Sequence, residues 1–140
     1  MSREYYDHKT GLGNVGSYQA SGRPFLSSSI ALTSSNTVVK ITFPTVSRFV
    51  TIKNEGPAAQ NEVKIRAGFS ENGVNAVQYE NYLLLDNQES FSADYRVTNV
   101  YLRVDPTGGT TNATASVIAG LTSIDKNELI HNWTGSSGVG

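Results

Sequence analysis

Short runs of alternating apolar and polar residues, separated by turn-forming residues, constrain the fold of this chain most. Residues 63–69, 100–104 and 113–121 place apolar side chains at every second position. Alternate side chains of a strand point to opposite faces, so these runs predict strands with one buried face. Further β-rich runs are residues 28–33, 38–43, 48–53, 79–85 and 91–97. The pattern predicts an all-β fold, an antiparallel β-sandwich of about eight strands, jelly-roll-like or immunoglobulin-like.

Three local patterns add detail to this fold. Asn72-Gly73 suits a two-residue hairpin turn, because both central positions of a type I′ turn need a positive φ. Leu83, Leu84 and Leu85 are consecutive and apolar, which is typical of a strand buried on both faces. Residues 123–130 carry a short helical pattern.

The length of 140 residues is that of one domain. Residues 1–26 hold four glycines among polar residues without a sustained period, which predicts an extended N-terminal arm. Residues 27–122 are predicted to form the β-sandwich, and residues 123–140 a C-terminal segment with a flexible tail. The predicted core consists of Val39, Ile41, Phe43, Val50, Ile52, Val63, Ile65, Phe69, Leu83, Leu85, Phe91, Val100, Leu102 and Val117.

The charge balance disfavours several classes of partner. The formal net charge is −1, which gives no field that would concentrate nucleic acid. No run approaches the roughly 20 apolar residues of a membrane span, and the first residues lack the apolar run of a signal peptide. The chain also has no cysteine, which removes thiolate metal sites and thiol nucleophiles. We therefore expect a protein made in a cytosol that binds neither nucleic acid nor membrane.

Few residues suit catalysis. The two histidines, His8 and His131, lie near opposite ends of the chain, so neither has an evident partner. A carboxylate pair of the kind that glycosidases use needs a cleft and one desolvated carboxyl, which the sequence does not indicate. We expect no enzymatic activity, no metal and no cofactor; a hydrolase remains an alternative. Its candidate carboxylates are Glu80, Asp86, Glu89 and Asp94.

Two surface hypotheses concern binding. The basic side chains predicted to face solvent would form a patch for an acidic protein if their strands were neighbours; they are Lys64, Arg66, Arg96 and Arg103. Aromatic residues would offer stacking faces to sugars in a carbohydrate- or receptor-binding module of a viral fibre or knob. These aromatic residues are Tyr79, Tyr82, Tyr101 and Trp133.

Four stretches carry a resemblance: residues 13–26 (GNVGSYQASGRPFL), 41–52 (ITFPTVSRFVTI), 66–74 (RAGFSENGV) and 95–103 (YRVTNVYLR). Together they resemble small virion proteins of large marine DNA viruses and phages. The resemblance implies a β-sandwich minor capsid, decoration or cement protein, located in the virion after synthesis in the host cytoplasm. It also implies contact with the major capsid protein or other virion proteins, and a symmetric homo-oligomer. We favour a trimer, because repeated weak contacts strengthen attachment to a lattice.

The N-terminal arm is the predicted binding segment. It carries isolated apolar side chains, too few for a core but enough to anchor a partner. The glycines between them let the backbone lie close to another surface. We expect Tyr18 and Phe25 to be the main contacts. The predicted partner-binding residues are Tyr5, Tyr6, Tyr18, Phe25 and Leu26.

Overall fold

A computed structural model of the chain describes residues 22–32, 38–56, 63–76, 80–106 and 113–129. The predicted arm up to residue 21 and the predicted tail from residue 130 lie outside these described residues. His8, His131 and Trp133 lie outside them as well, and so does Tyr79.

Short and long strands make up most of the described chain. A five-residue α-helix and one turn of 3-10 helix are the helical elements there. In chain order the elements are β1 (Arg23–Leu32), β2 (Val39–Thr42), β3 (Thr45–Asn54), β4 (Ile65–Gly68), α1 (Glu71–Asn75), β5 (Leu83–Leu85), β6 (Ser90–Ala93), β7 (Asn99–Val104), β8 (Ala113–Asp125) and the 3-10 helix Lys126–Glu128.

The strands form two four-stranded antiparallel sheets. The β1 sheet has the order β1-β8-β3-β6, and the β2 sheet has the order β2-β7-β4-β5. The first strand pairs with the last, and the others pair inward in turn: β2 with β7, β3 with β6 and β4 with β5. Such a folded double ribbon is a jelly roll. The predicted antiparallel β-sandwich is confirmed, and its topology is the jelly-roll alternative.

The core lies between the inward faces of the two sheets. Much of the predicted core is buried there: Phe43, Val50, Ile52, Val63, Ile65, Leu85, Val100, Leu102 and Val117. Four predicted members pack against this cluster but are only partly buried: Val39, Ile41, Phe69 and Phe91. Leu32 and Val104 are core residues that the predicted set omitted.

Leu83 is not a core residue, and β5 is not buried on both faces. Leu83 is 42% exposed and Leu84 is 38% exposed. The reason is position, because β5 pairs with β4 alone and forms the edge of the β2 sheet. Its three residues leave Leu85 inside and the other two leucines at the margin of the sandwich.

β1 begins earlier than the sequence pattern indicates. The predicted boundary placed residues up to 26 in the arm, whereas Arg23 is already paired with Leu121 and Leu26 with Ile118. Pro24 cannot donate a hydrogen bond, but an edge strand tolerates it. Pairing with β8 therefore decides the conformation of a segment that has weak strand character of its own. The described strands begin at Arg23 and end at Asp125.

Asn72-Gly73 does not form the predicted hairpin turn. Both residues lie in α1, which Ser70 caps by accepting a hydrogen bond at Oγ from the Gly73 backbone N–H over 3.1 Å. Ala76 ends the helix in the left-handed conformation with φ of 54°. The capping serine was the competing signal, since serine before a helix satisfies a backbone donor that would otherwise lack a partner.

The helical pattern of residues 123–130 is mostly overridden as well. β8 continues through Asp125, and the short 3-10 helix follows it. Asp125 begins that turn, because its Oδ1 accepts a hydrogen bond of 2.9 Å from the Asn127 N–H. Ile124 is fully buried, so packing holds this stretch in the strand.

Candidate functional site

Two of the predicted partner-binding residues lie in β1 and have opposite environments. Phe25 is half-buried, and its ring meets the ring of Phe43 edge-on with centroids 4.9 Å apart. It is therefore part of the sandwich, which is not the free anchor expected of an arm. Leu26 is 70% exposed. The remaining predicted residues lie outside the described part of the chain: Tyr5, Tyr6 and Tyr18.

Leu26 lies on the solvent side of the β1 sheet. It is opposite Ile118 of β8, and Ile118 is opposite Thr51 of β3. Thr51 in turn is opposite Ser92 of β6, so one row of side chains crosses all four strands. Two adjoining rows complete a surface that we call the outer face. The outer face consists of Pro24, Leu26, Phe49, Thr51, Lys53, Ser90, Ser92, Ser116, Ile118 and Gly120.

The outer face places two exposed aliphatic side chains next to each other. Ile118 is 41% exposed beside the more exposed Leu26. Lys53, near the end of β3, is the one charged side chain among the outer-face residues. Solvated sheet faces usually carry polar side chains, so these two neighbouring exposed aliphatic residues make the outer face the candidate contact surface. The sequence offered one sign of this, because Ile118 falls on the polar side of the alternation in residues 113–121.

Three hydroxyl groups of the outer face bond within the protein. Thr51 Oγ1 and Ser92 Oγ share a hydrogen bond of 2.5 Å across β3 and β6. Ser116 Oγ donates to Glu55 Oε1 over 3.1 Å. Polar groups that already have partners lose less free energy when water is removed. The outer face can therefore be covered by a partner without leaving these hydroxyls unsatisfied.

The edge of β1 that has no neighbour among the described strands is, in contrast, irregular. The pairing of β1 with β8 shifts between Ser27 and Ile30. Ser29 in this bulge has a φ of 55°, and Pro24 near the start of the strand has no N–H. Bulges and prolines on edge strands prevent another strand from adding to a sheet. The geometry therefore favours contact through the outer face over contact through this edge.

The expected basic patch does not form as predicted, because two of its members are buried. Arg66 is 7% exposed and Arg103 is 8% exposed. Arg66 Nε lies 3.0 Å from Asp105 Oδ1, and its Nη1 donates to the Val74 carbonyl over 3.0 Å. Alternation correctly places both arginines on the side of the β2 sheet away from the core. It does not reveal that α1 covers that side.

The second arginine belongs to the same cluster. Arg103 Nη1 donates to the Asn75 carbonyl over 3.3 Å, so both guanidinium groups hold the end of α1. Burial, and then the positive charge of Arg66, lower the pKa of Arg103, while Asp105 raises it. A guanidinium keeps its charge at neutral pH in spite of such a shift. The cluster of Arg66, Arg103 and Asp105 therefore connects α1 to β4 and β7 through charged hydrogen bonds.

The carboxylates of the hydrolase alternative are all exposed in the structure. Two of them flank a turn, as the sequence indicated: Glu89 N–H donates to the Asp86 carbonyl, and Asp86 N–H donates to Glu89 Oε2, both over 2.9 Å. A glycosidase pair needs one carboxyl in an apolar environment, a feature that these groups lack. The four residues are Glu80, Asp86, Glu89 and Asp94.

Two of the aromatic residues proposed to stack on sugars, Tyr82 and Tyr101, each have a cationic side chain over the ring. The guanidinium carbon of Arg66 lies 4.4 Å from the centre of the Tyr82 ring. Lys40 Nζ lies 5.8 Å from the centre of the Tyr101 ring. One face of each ring is therefore covered from within the protein.

Among the described residues, no three His, Asp or Glu side chains cluster closely enough to hold a metal ion. None of the helices in those ranges is long and apolar enough to cross a membrane.

No known family model matches the chain, and no curated protein is similar to it in sequence.

Proposed function

We propose that this chain is a non-enzymatic structural protein of a virus particle, a minor capsid, decoration or cement protein that binds other virion proteins by surface contact. The observation that carries the proposal is the outer face, where Leu26 and Ile118 lie exposed and opposite each other on neighbouring strands. Burying exposed aliphatic side chains is the main source of free energy in protein association. A surface of this kind binds a protein partner better than a small polar substrate.

The fold supports the class of function by analogy. Jelly rolls are common in viral capsid proteins, and they also occur in lectins and cupins. Fold alone does not determine function, so the analogy counts only together with the surface. The four sequence stretches that resemble virion proteins of large marine DNA viruses and phages favour a capsid role over that of a lectin or a cupin.

The N-terminal segment has a defined place in the proposal. Its described end enters β1 next to the outer face, since Leu26 belongs to both. Tyr5, Tyr6 and Tyr18 remain proposed contacts to a neighbouring virion protein. Phe25 no longer serves as a main contact, because its ring already packs on Phe43. Leu26 takes its place as the exposed anchor of β1.

Quantitative mass spectrometry of purified particles tests the proposal. Particles of the virus that carries this gene should contain the chain at a fixed ratio to the major capsid protein, and the ratio should survive repeated banding on a density gradient. A cryo-electron microscopy map of the particle should also show density on the capsid surface that fits this jelly roll. A chain found in the lysate of infected cells but absent from banded particles would refute the proposal.

A further inference from the structure

We infer that Asn72 is a deamidation site of this chain, and that α1 suppresses the reaction by holding both ends of the Asn72–Gly73 peptide group. Asparagine is among the chemically labile residues of proteins. It reacts fastest where glycine follows, because glycine has no Cβ to hinder the backbone. The sequence contains this pair at a single place, residues 72–73. The inference concerns α1 and is independent of the proposed function.

Deamidation begins when a backbone nitrogen attacks the neighbouring side chain. The Gly73 nitrogen loses its proton to hydroxide and bonds to Asn72 Cγ; the Cγ–Nδ2 bond then breaks, and Nδ2 takes a proton from water and leaves as ammonia. The product is a cyclic succinimide. Water opens this ring at the bond from the Gly73 nitrogen to Cγ, which gives aspartate, or at its bond to the backbone carbonyl carbon, which gives isoaspartate. Asparagine and water thus yield an acidic residue and ammonia.

The structure engages both ends of this peptide group. The Gly73 N–H donates to Ser70 Oγ over 3.1 Å, so the proton that must leave is held in a hydrogen bond. The carbonyl of Asn72 accepts a hydrogen bond from the Ala76 N–H, which fixes the other end. Gly73 is buried, while Asn72 is exposed to the water that the reaction consumes. The attacking nitrogen therefore becomes available only when α1 opens.

α1 is an element that can open without unfolding of the sandwich. It has only five residues, and Ala76 at its end has a φ of 54°, which a residue with a Cβ adopts at a cost. Segments of this kind open locally, with free energies below that of global unfolding. The rate of deamidation therefore depends on the fraction of time for which α1 is open.

The two products have different consequences for α1. Isoaspartate lengthens the backbone by an atom before Gly73, so the Gly73 N–H no longer meets Ser70 Oγ. Two buried arginines that donate to carbonyl groups near the end of α1 would then lose these acceptors. Aspartate keeps the backbone unchanged and places a negative charge in the first helical turn, where it is favourable.

Mass spectrometry of the purified full-length chain measures the reaction. The chain is incubated in mildly alkaline buffer, folded or unfolded in guanidinium chloride, and peptide mapping follows deamidation at Asn72. The unfolded chain should react at least about tenfold faster, which corresponds to an opening free energy of about 1.4 kcal/mol or more. Asn75, which precedes an alanine, is the internal control and should react slowly in both states.

Two substitutions should shift the rate of the folded chain in opposite directions. Ser70→Ala removes the acceptor of the Gly73 N–H and should speed deamidation about fivefold, which corresponds to the usual loss of about 1 kcal/mol for a serine cap. Ala76→Gly relieves the left-handed conformation at the end of α1 and should slow deamidation by about the same factor.

Each substitution has a matched control outside α1. Ser47→Ala removes another buried serine hydroxyl, which donates to the Tyr95 carbonyl over 2.6 Å. Ser29→Gly relieves another positive φ, of 55°, in β1. Neither control should change the rate at Asn72, because both substitutions act on the sandwich and leave α1 as it is.

The products provide a separate measurement. Ion exchange separates the deamidated chains, which carry an added negative charge. The isoaspartate chain should melt at a lower temperature than the Asn72→Asp variant, which supplies the aspartate product directly. Equal melting of the two would show that the Gly73 N–H is not held by Ser70 as described, and would overturn the inference.

Other results would overturn it as well. Folded and unfolded chains that react equally fast would remove the role of α1. Equal effects of Ser70→Ala and Ser47→Ala would show that deamidation follows unfolding of the whole sandwich. If Ser70→Ala fails to fold, Ala76→Gly still decides the question, because a rate no lower than that of the parent would refute local opening of α1.

Discussion

Arg66 and Asp105 form an ion pair with almost no access to water, since their side chains are 8% and 6% exposed. Their attraction must offset the free energy lost when both charges leave water, so the net stabilisation of such a pair is small. Removing one partner is costly, because the other charge stays buried. Arg66 also bonds the Val74 carbonyl, so the pair determines where α1 rests on the sheet.

Asp105→Ala should lower the free energy of unfolding by about 3–5 kcal/mol, because two buried guanidinium groups would remain without that carboxylate. Urea denaturation measures this loss. Asp86→Ala is the control, since Asp86 is 61% exposed and lies 3.5 Å from the half-exposed Lys64. It should cost at most about 1 kcal/mol. Equal losses for the two variants would show that burial of the Arg66 pair has no energetic consequence.

Asn54 joins the two sheets through its side chain. It ends β3, yet its Nδ2 donates to the Val63 carbonyl over 2.7 Å and to the Leu85 carbonyl over 3.1 Å. Its Oδ1 accepts from the Gly56 N–H over 2.9 Å. Asn54 is fully buried, so water cannot replace these bonds.

Asn54→Ala should therefore destabilise the protein by about 1–3 kcal/mol, the usual loss when buried backbone groups are left without a partner. Asn54→Asp should cost at least as much, because its oxygens would face two carbonyls. Thermal unfolding followed by circular dichroism provides the measurement. Ser116→Ala, which removes one part-buried hydroxyl bond from β8, should change stability less. A stable Asn54→Asp variant would contradict the bonding described.

α1 is the element that covers the β2 sheet, and Gly68 of β4 makes room for it. A Cβ atom on Gly68 would lie 2.8 Å from Val74 Cγ2 and 2.9 Å from the Asn81 carbonyl oxygen. The second neighbour is backbone, so a rotamer change cannot relieve it. Val74 is fully buried by this close approach.

Gly68→Ala should consequently lower the free energy of unfolding by about 1–3 kcal/mol, as expected for an overpacked site. Gly22→Ala is the control, because its new Cβ would meet nothing within 4 Å. That change should stay within about 0.5 kcal/mol. Chemical denaturation of both variants decides the matter, and an unaffected Gly68→Ala would show that α1 does not pack on β4 as described.

The alternation of apolar and polar residues correctly predicted strands whose one face packs on the core and whose other face meets water. β7 and β8 were found because Val100, Leu102 and Val117 repeat with period two on a buried face. The pattern failed where a second element decides the outcome. The period-two pattern correctly placed Arg66 on the side of the sheet away from the core, so it was predicted to be exposed. The pattern does not predict that α1, which begins after the capping residue Ser70, covers that side. Leu83 looked buried because apolar runs do not show which strand is at the edge.

The candidate site was predictable only in part. The sequence identified Leu26 as a partner-binding residue, but placed it in an extended arm. Its position in β1 depends on pairing with β8, which lies far along the chain. The sequence showed Ile118 as an apolar residue on the polar face of its strand, yet no local pattern indicates that it lies next to Leu26. Register across strands brings them together, and register is a property of the whole sheet.

At the scale of the whole molecule, the pairing of β1 with β8 joins the first and last of the described strands. Arg23 is opposite Leu121, and Phe25 of the same strand packs on Phe43 of the core. Removal of residues 1–21 leaves all of β1 in place. Removal of residues 1–26 takes away the part of β1 that holds Phe25 and uncovers one edge of β8.

A pair of truncations tests this closure. The chain without residues 1–21 should unfold like the full chain, since none of the described strands is shortened. The chain without residues 1–26 should lose at least about 2 kcal/mol, given that a half-buried Phe and several ladder bonds are lost. Calorimetry of the two proteins compares them directly. Similar melting of both would show that the start of β1 contributes nothing to the sandwich.

The same pairing has a consequence for synthesis on the ribosome. β1 emerges roughly 100 residues before the part of β8 that completes its sheet, and translation adds about 5–20 residues per second. For roughly 5–20 s the nascent β1 has no native neighbour, while other copies on the same message carry the identical segment. Pro24 and the kink at Ser29 make that segment a poor template for pairing with itself. These irregularities therefore protect the growing chain from aggregation until β8 is made.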